Sequence, residues 1–137
     1  MYVRVDVPGD GSCMFHAVAF GLRDNSKGIN GRVSGHALRT RVVQILDTDT
    51  LISGLPIRQW IEESETISAS EYANRMKTAW GGAIELACLS HLVKRCIAVY
   101  AMTGSSARKI ACFGEELGDP IFILYTGSHY MALKKAS

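Results

Sequence analysis

A chain of 137 residues that is 47% hydrophobic and 20% charged is long and apolar enough to bury one core, which excludes a disordered segment. Its formal net charge of +2, with basic residues scattered and no block longer than Lys134-Lys135, excludes a phosphate-backbone footprint and with it a nucleic-acid partner. No apolar run approaches the roughly 20 residues that span a bilayer and Met1 opens no signal peptide, so one soluble, monomeric domain over residues 1–137 is expected.

Tyr2-Val3-Arg4-Val5-Asp6-Val7 alternates with period two and reads as a short strand that Pro8 ends. Gly9-Asp10-Gly11-Ser12 is a tight turn, after which Phe15, Val18, Ala19 and Leu22 recur at helical spacing. Cys13 therefore falls in the first turn of a helix. Residues 25–31 are polar and glycine-rich and read as a surface loop. Ser34 is placed to cap a second helix with a buried stripe of Leu38, Val42, Ile45 and Leu46. Its arginines, Arg39 and Arg41, are expected to face solvent.

The pattern weakens over residues 53–68, where Pro56 is expected to open a short helix carrying Ile57, Trp60 and Ile61. Glu62, Glu63 and Glu65 make an exposed acidic stretch. Ser68-x-x-Glu71 has the form of a capping box and starts a helix through Tyr72, Met76 and Ala79 towards Trp80. Gly81 and Gly82 break it. Residues 83–93 are apolar almost all round, which predicts a helix buried on most sides and serving as the spine of the core. The remainder changes character: residues 96–100, 109–113, 121–125 and 129–133 are short β-rich runs between Gly, Ser and Asp turns. The fold class is α+β, a small central sheet drawn mainly from the C-terminal third and flanked by helices.

The four cysteines, Cys13, Cys88, Cys96 and Cys112, show no C-x-x-C spacing and no accompanying histidine pair, so no metal site is expected. Three lie inside apolar runs and read as reduced core residues of a cytosol-like compartment. Cys13 differs. At the start of a helix a thiol meets unpaired backbone N–H groups and the positive end of the macrodipole, which favour thiolate over thiol. Those N–H groups, with those of the preceding turn, also suit the oxygen of a tetrahedral intermediate, and glycines at 9 and 11 allow close approach of substrate. Such a nucleophile needs a base, for which the four histidines compete. His16 lies one turn beyond Cys13, while His36 and His91 read as structural. His129, opening the last strand after Thr126-Gly127-Ser128, is the best base on sequence grounds.

Three stretches then resemble a known family. Pro8-Gly9-Asp10-Gly11-Ser12-Cys13-Met14-Phe15 is similar to the catalytic-cysteine box of the ovarian-tumour (OTU) cysteine proteases. Trp80-Gly81-Gly82-Ala83-Ile84-Glu85-Leu86 with Leu89-Ser90 resembles that family's central box, and residues 123–130 resemble its closing strand pair, whose turn delivers a histidine before an aromatic. The resemblance implies a papain-like OTU fold and a deubiquitinase that cleaves the isopeptide bond after the terminal glycines of ubiquitin or a ubiquitin-like modifier. Cys13 would be the nucleophile, His129 the general base, and the backbone from Asp10 to Cys13 the oxyanion hole. Gly11, Ser12, Trp80, Gly81 and Gly82 would meet the substrate, with Trp80 as a core aromatic the competing reading. No cofactor is implied, the partners are ubiquitin or ubiquitin chains, and the compartment is the cytoplasm of the home cell, or of a host if the chain is a viral or bacterial effector.

The chain departs from the family where Asp or Asn often follows the histidine by two positions. Met131 stands there and offers no carboxylate or amide oxygen. Asp6 is then a candidate orienter of His129. A bare Cys-His dyad and Asp10, which also reads as a cap for the Cys13 helix, are the alternatives. A catalytically impaired ubiquitin-binding module is a rival of a different class. An anion cradle at Gly9-x-Gly11 is another, although no Walker-type lysine follows.

Overall fold

The computed structural model describes residues 2–7, 11–25, 34–127 and 129–135. In chain order these form β1 (Tyr2–Val5), α1 (Cys13–Asn25), α2 (Gly35–Leu46), β2 (Leu51–Ile52), β3 (Leu55–Pro56), α3 (Ile57–Glu65), α4 (Ala69–Met76), α5 (Ala83–Val93), β4 (Ile97–Thr103), β5 (Ser106–Phe113), β6 (Ile121–Tyr125) and β7 (Tyr130–Lys135). The α+β expectation holds. Five strands make one sheet in the order β1-β7-β6-β4-β5, parallel between β4 and β6 and antiparallel elsewhere.

The N-terminal strand thus closes against the last one, with Val5 opposite Ala132, and the sheet joins the two ends of the sequence. Helix α1 lies against β6, β7 and α2. Its Met14, Phe15, Ala17, Val18, Ala19 and Leu22 are all buried. At Gly21 the helix touches the sheet so closely that a Cβ would lie 2.3 Å from Ile121 Cγ2. This makes α1 the spine of the core, where the sequence had pointed to α5. Helix α5 keeps its predicted bounds, but Ala83 and His91 are exposed, and it meets α2, β2 and β5 at the side of the molecule. A nearly uniform apolar composition reports burial without saying which element is central.

Ser34 caps α2, accepting the Ala37 N–H at 3.1 Å, an interaction worth about 1 kcal/mol. Pro56 precedes α3 as expected, and Ile57 and Ile61 are its buried stripe. Ser68 caps α4 through the Glu71 N–H at 3.1 Å, while the Glu71 carboxylate pairs with Arg75 at 2.8 Å. Helix α4 stops at Met76, short of the expected Ala79. The small β2–β3 hairpin, turned through Ser53 and Gly54 at φ 54° and 83°, was not expected. Strands of two residues carry too little alternation to register as period two.

Candidate active site

Ser12 O accepts the His16 N–H at 2.9 Å, so Ser12 is the residue before α1 and Cys13 the first within it. The amides of Cys13, Met14 and Phe15 therefore precede the first intrahelical donor and have no partner inside the helix. The Cys13 side chain is fully buried. What covers it is the last strand: Tyr130 N–H donates to Cys13 Sγ at 3.4 Å. That N–H belongs to the peptide joining His129 to Tyr130. The turn before β7 holds this peptide in place, with Thr126 N–H and Thr126 Oγ1 both donating to His129 O at 2.9 and 3.0 Å. Tyr125, opposite Tyr130 in the hairpin register, packs its ring 4.9 Å from that of Tyr130 and donates its hydroxyl to Gly127 O at 2.9 Å. Burial, and then Tyr125 and Cys13, push the Tyr130 phenol upward.

Residues 81 and 82 form a glycine wall between the start of α1 and the start of α5. Gly81 lies against the start of α1, where a Cβ would come 2.4 Å from Met14 Cε and 3.3 Å from Phe15 Cε2, so a side chain there would have to displace the end of Met14. Gly82 N–H donates to Glu85 Oε1 at 2.8 Å, closing the first turn of α5. The other carboxylate oxygen of Glu85 accepts from Tyr72 Oη at 2.6 Å. Glu85 is buried, and desolvation raises its carboxyl above the usual range against the opposing pull of these two hydrogen bonds. Burial, then the Glu85 contact, raises the Tyr72 phenol in turn. Trp80 is 57% exposed, which overturns its reading as a core aromatic. Trp80 and Gly82 instead border a groove of about 410 Å³ shared with Tyr72, Met76 and Glu85.

One residue was assigned to solvent and belongs here. Arg39 is buried. Its Nε donates to Ser12 Oγ at 3.1 Å, its Nη1 to Met76 O and Ala79 O at 2.7 Å each, and its Nη2 to Gly11 O. The guanidinium also sits 4.7 Å from the Phe15 ring centroid. This cation satisfies the carbonyl of Met76, the last residue of α4, and that of Ala79 beyond the helix. The signal was in the spacing: Arg39 stands three and seven residues before Val42 and Leu46, on the buried stripe itself.

The remaining candidates distribute as follows. Asp10, with Gly9, lies outside the described residues. Gly11 is half-buried against Thr78 O. Ser12 turns its hydroxyl to Arg39, so what it offers the cleft is backbone. Asp6 is exposed, one residue past the Val5–Ala132 pair, with Met131 the residue preceding Ala132 on the neighbouring strand. His16 and His36 stack on each other edge to face, centroids 4.8 Å apart, and His91 is exposed at the end of α5. Cys88 is buried and its thiol pushed up to about 12 by desolvation, then by Glu85. Among the described residues no cluster of three or more His, Cys, Asp or Glu side chains could hold a metal.

The family model for OTU-like cysteine proteases matches residues 8–134. The chain belongs to this family. Among curated OTU relatives it is 32% identical over 131 residues to a ubiquitin thioesterase OTU1 of Dictyostelium discoideum, covering 90% of this chain and 35% of that protein. It is 33% identical over 144 residues to an ovarian tumor domain-containing deubiquitinating enzyme 4 of Arabidopsis thaliana, covering 96% and 43%. The chain thus spans less than half the length of these relatives. Among solved structures, an OTU domain in complex with ubiquitin matches with TM-score 0.72 and 26% identity, covering 97% of this chain and 69% of that one. An OTU deubiquitinase from Wolbachia pipientis wMel bound to ubiquitin shares the fold at TM-score 0.76 and 13% identity, covering 98% and 96%. No helix among the described residues of this OTU domain is long and apolar enough to cross a membrane.

Proposed function

We propose that this OTU domain is a cysteine-dependent isopeptidase that removes ubiquitin or a ubiquitin-like modifier from proteins, acting as a monomer in the cytoplasm of its own cell or of a host. The observation that carries this reading is the donation from the His129–Tyr130 peptide to Cys13 Sγ, which joins the two ends of the sequence at a thiol on a helix N-terminus. In the proposed reaction His129 takes the Cys13 proton as sulfur attacks the carbonyl of the modifier's terminal glycine. The N–H groups at the start of α1, which have no partner inside the helix, are proposed to receive the oxyanion. His129 returns the proton to the departing lysine amine, and a water activated by the same imidazole hydrolyses the thioester. Trp80 and Gly82, which border the groove shared with Tyr72 and Glu85, are proposed to line the path of a substrate tail of two glycines.

A ubiquitin bearing a thiol-reactive group at its C-terminus tests this directly. An adduct of added ubiquitin mass, lost in Cys13→Ala and slowed in His129→Ala, is the expected result. A folded protein that forms no adduct with ubiquitin or any ubiquitin-like probe, yet retains binding to ubiquitin, would instead establish the binding-module reading, which the complete burial of Cys13 favours.

A further inference from the structure

We propose that Thr126 is the positioning residue of His129, an inference that rests on the acyl-transfer reading above. Two donors of this one residue converge on one acceptor: the Thr126 N–H and the Thr126 hydroxyl reach His129 O at 2.9 and 3.0 Å. The same peptide carries the Tyr130 N–H, which donates to Cys13 Sγ at 3.4 Å. In a planar trans peptide the carbonyl and the N–H point in opposite directions. The His129–Tyr130 peptide is therefore held at both ends, by Thr126 on one side and by the nucleophilic sulfur on the other.

A peptide plane pinned at its oxygen and its nitrogen leaves little freedom to the His129 Cα, which is bonded directly to it and carries the imidazole. The main-chain bond from residue 126 needs only a backbone N–H, so any residue but proline could make it. The hydroxyl supplies what the side chain alone can add, a second donor that stops the carbonyl from swinging about the first. A β-branched residue presents that hydroxyl in few rotamers, and Gly127, at φ 99°, turns the chain back directly after it. This constraint acts through the main chain and is independent of any carboxylate that meets the imidazole.

Thr126→Val removes the hydroxyl and keeps the branched shape and the N–H, whereas Thr126→Ser keeps the hydroxyl. On a ubiquitin C-terminal fluorogenic amide, Thr126→Val is expected to lower kcat by about tenfold with KM held within about twofold. Thr126→Ser is expected to stay within about threefold of the unaltered protein in kcat. Alkylation of Cys13 by iodoacetamide, read by peptide mass mapping, needs no modifier. It is expected to slow about fivefold in Thr126→Val. In a His129→Ala background the same substitution should change it by less than about 1.5-fold, because the base that Thr126 places is gone. General loosening of the turn would carry over to both backgrounds. Thr126→Ala, which also lacks the hydroxyl, supplies the same comparison if Thr126→Val does not fold. An unchanged kcat in folded Thr126→Val, an equal loss in Thr126→Ser, or an equal slowing of alkylation in both backgrounds would overturn the proposal. An unaltered protein inert towards every ubiquitin-like substrate, in which Thr126→Val slows alkylation only while His129 is present, would overturn the isopeptidase reading and leave the role of Thr126 standing.

Discussion

Tyr72 and Glu85 meet at 2.6 Å beneath the glycine wall, the phenol donating to one carboxylate oxygen while the other receives the Gly82 N–H. The pair links the middle of α4 to the first turn of α5 and so sets where Gly81 and Gly82 stand.

Because burial raises the Glu85 carboxyl above its ordinary value, the folded chain holds that proton more tightly than the unfolded one. The stabilisation this gives is complete below the unfolded carboxylate range and is lost as pH rises through the folded value. Glu85→Gln has no such proton to lose. The melting temperature of Glu85→Gln minus that of the unaltered protein should therefore increase from about pH 4 to about pH 8. Either hydrogen bond lost to the amide adds a constant offset, so the slope is the readout. A flat or falling difference would contradict the assignment.

Gly81→Ala should destabilise the domain by about 1–3 kcal/mol through overpacking, since the new methyl meets the far end of Met14. Met14→Ala in the same chain removes the obstructing atoms. Urea unfolding of the double variant should show less loss than the two single losses combined, with a coupling of at least about 0.5 kcal/mol. Strict additivity would mean that the wall does not touch α1 there.

An orienting carboxylate can be worth up to about 10⁴-fold in kcat, but Asp6 is exposed to solvent. Asp6→Asn is expected to leave kcat within about threefold and the pH–rate profile unmoved. The same measurement on Asp10→Asn then separates a loop carboxylate from a bare dyad. A large loss in Asp6→Asn would establish it as the orienter.

Cys96 and Cys112 bring their sulfurs to 2.8 Å at the β4–β5 edge, and burial pushes the Cys96 thiol up to about 12. Treatment with the thiol oxidant diamide should link them, with loss of two hydrogens to the reagent, and intact mass with peptide mapping would read it. The reaction should quicken as pH rises, because more Cys96 thiolate forms. Cys112→Ser should abolish it. A link to Cys13 or Cys88 instead would refute the pairing.

Much of this architecture was readable from spacing. Helical periodicity located Cys13 at the start of α1, and turn residues located His129 at the opening of the last strand, which begins one residue later at Tyr130, because both signals are local. What escaped was long-range satisfaction of polar groups. Arg39 was set outside because charge usually means solvent, yet four acceptors from residues 11, 12, 76 and 79 outweigh that tendency. Glu85 was read as part of an apolar helix and of the central box of the family resemblance but given no role, although a lone carboxylate among Leu86, Cys88 and Leu89 marks a buried acceptor. Neither partner set can be seen before the chain is folded.

The sulfur of Cys13 and the amide of Tyr130 are 117 positions apart, and the strand bearing that amide is flanked by β1 and β6. Closing so long a loop is slow and comes with the pairing of distant segments. During synthesis the helix that bears Cys13 leaves the ribosome more than a hundred positions ahead of the strand that meets its sulfur, so the proposed site can assemble only once β7 has paired.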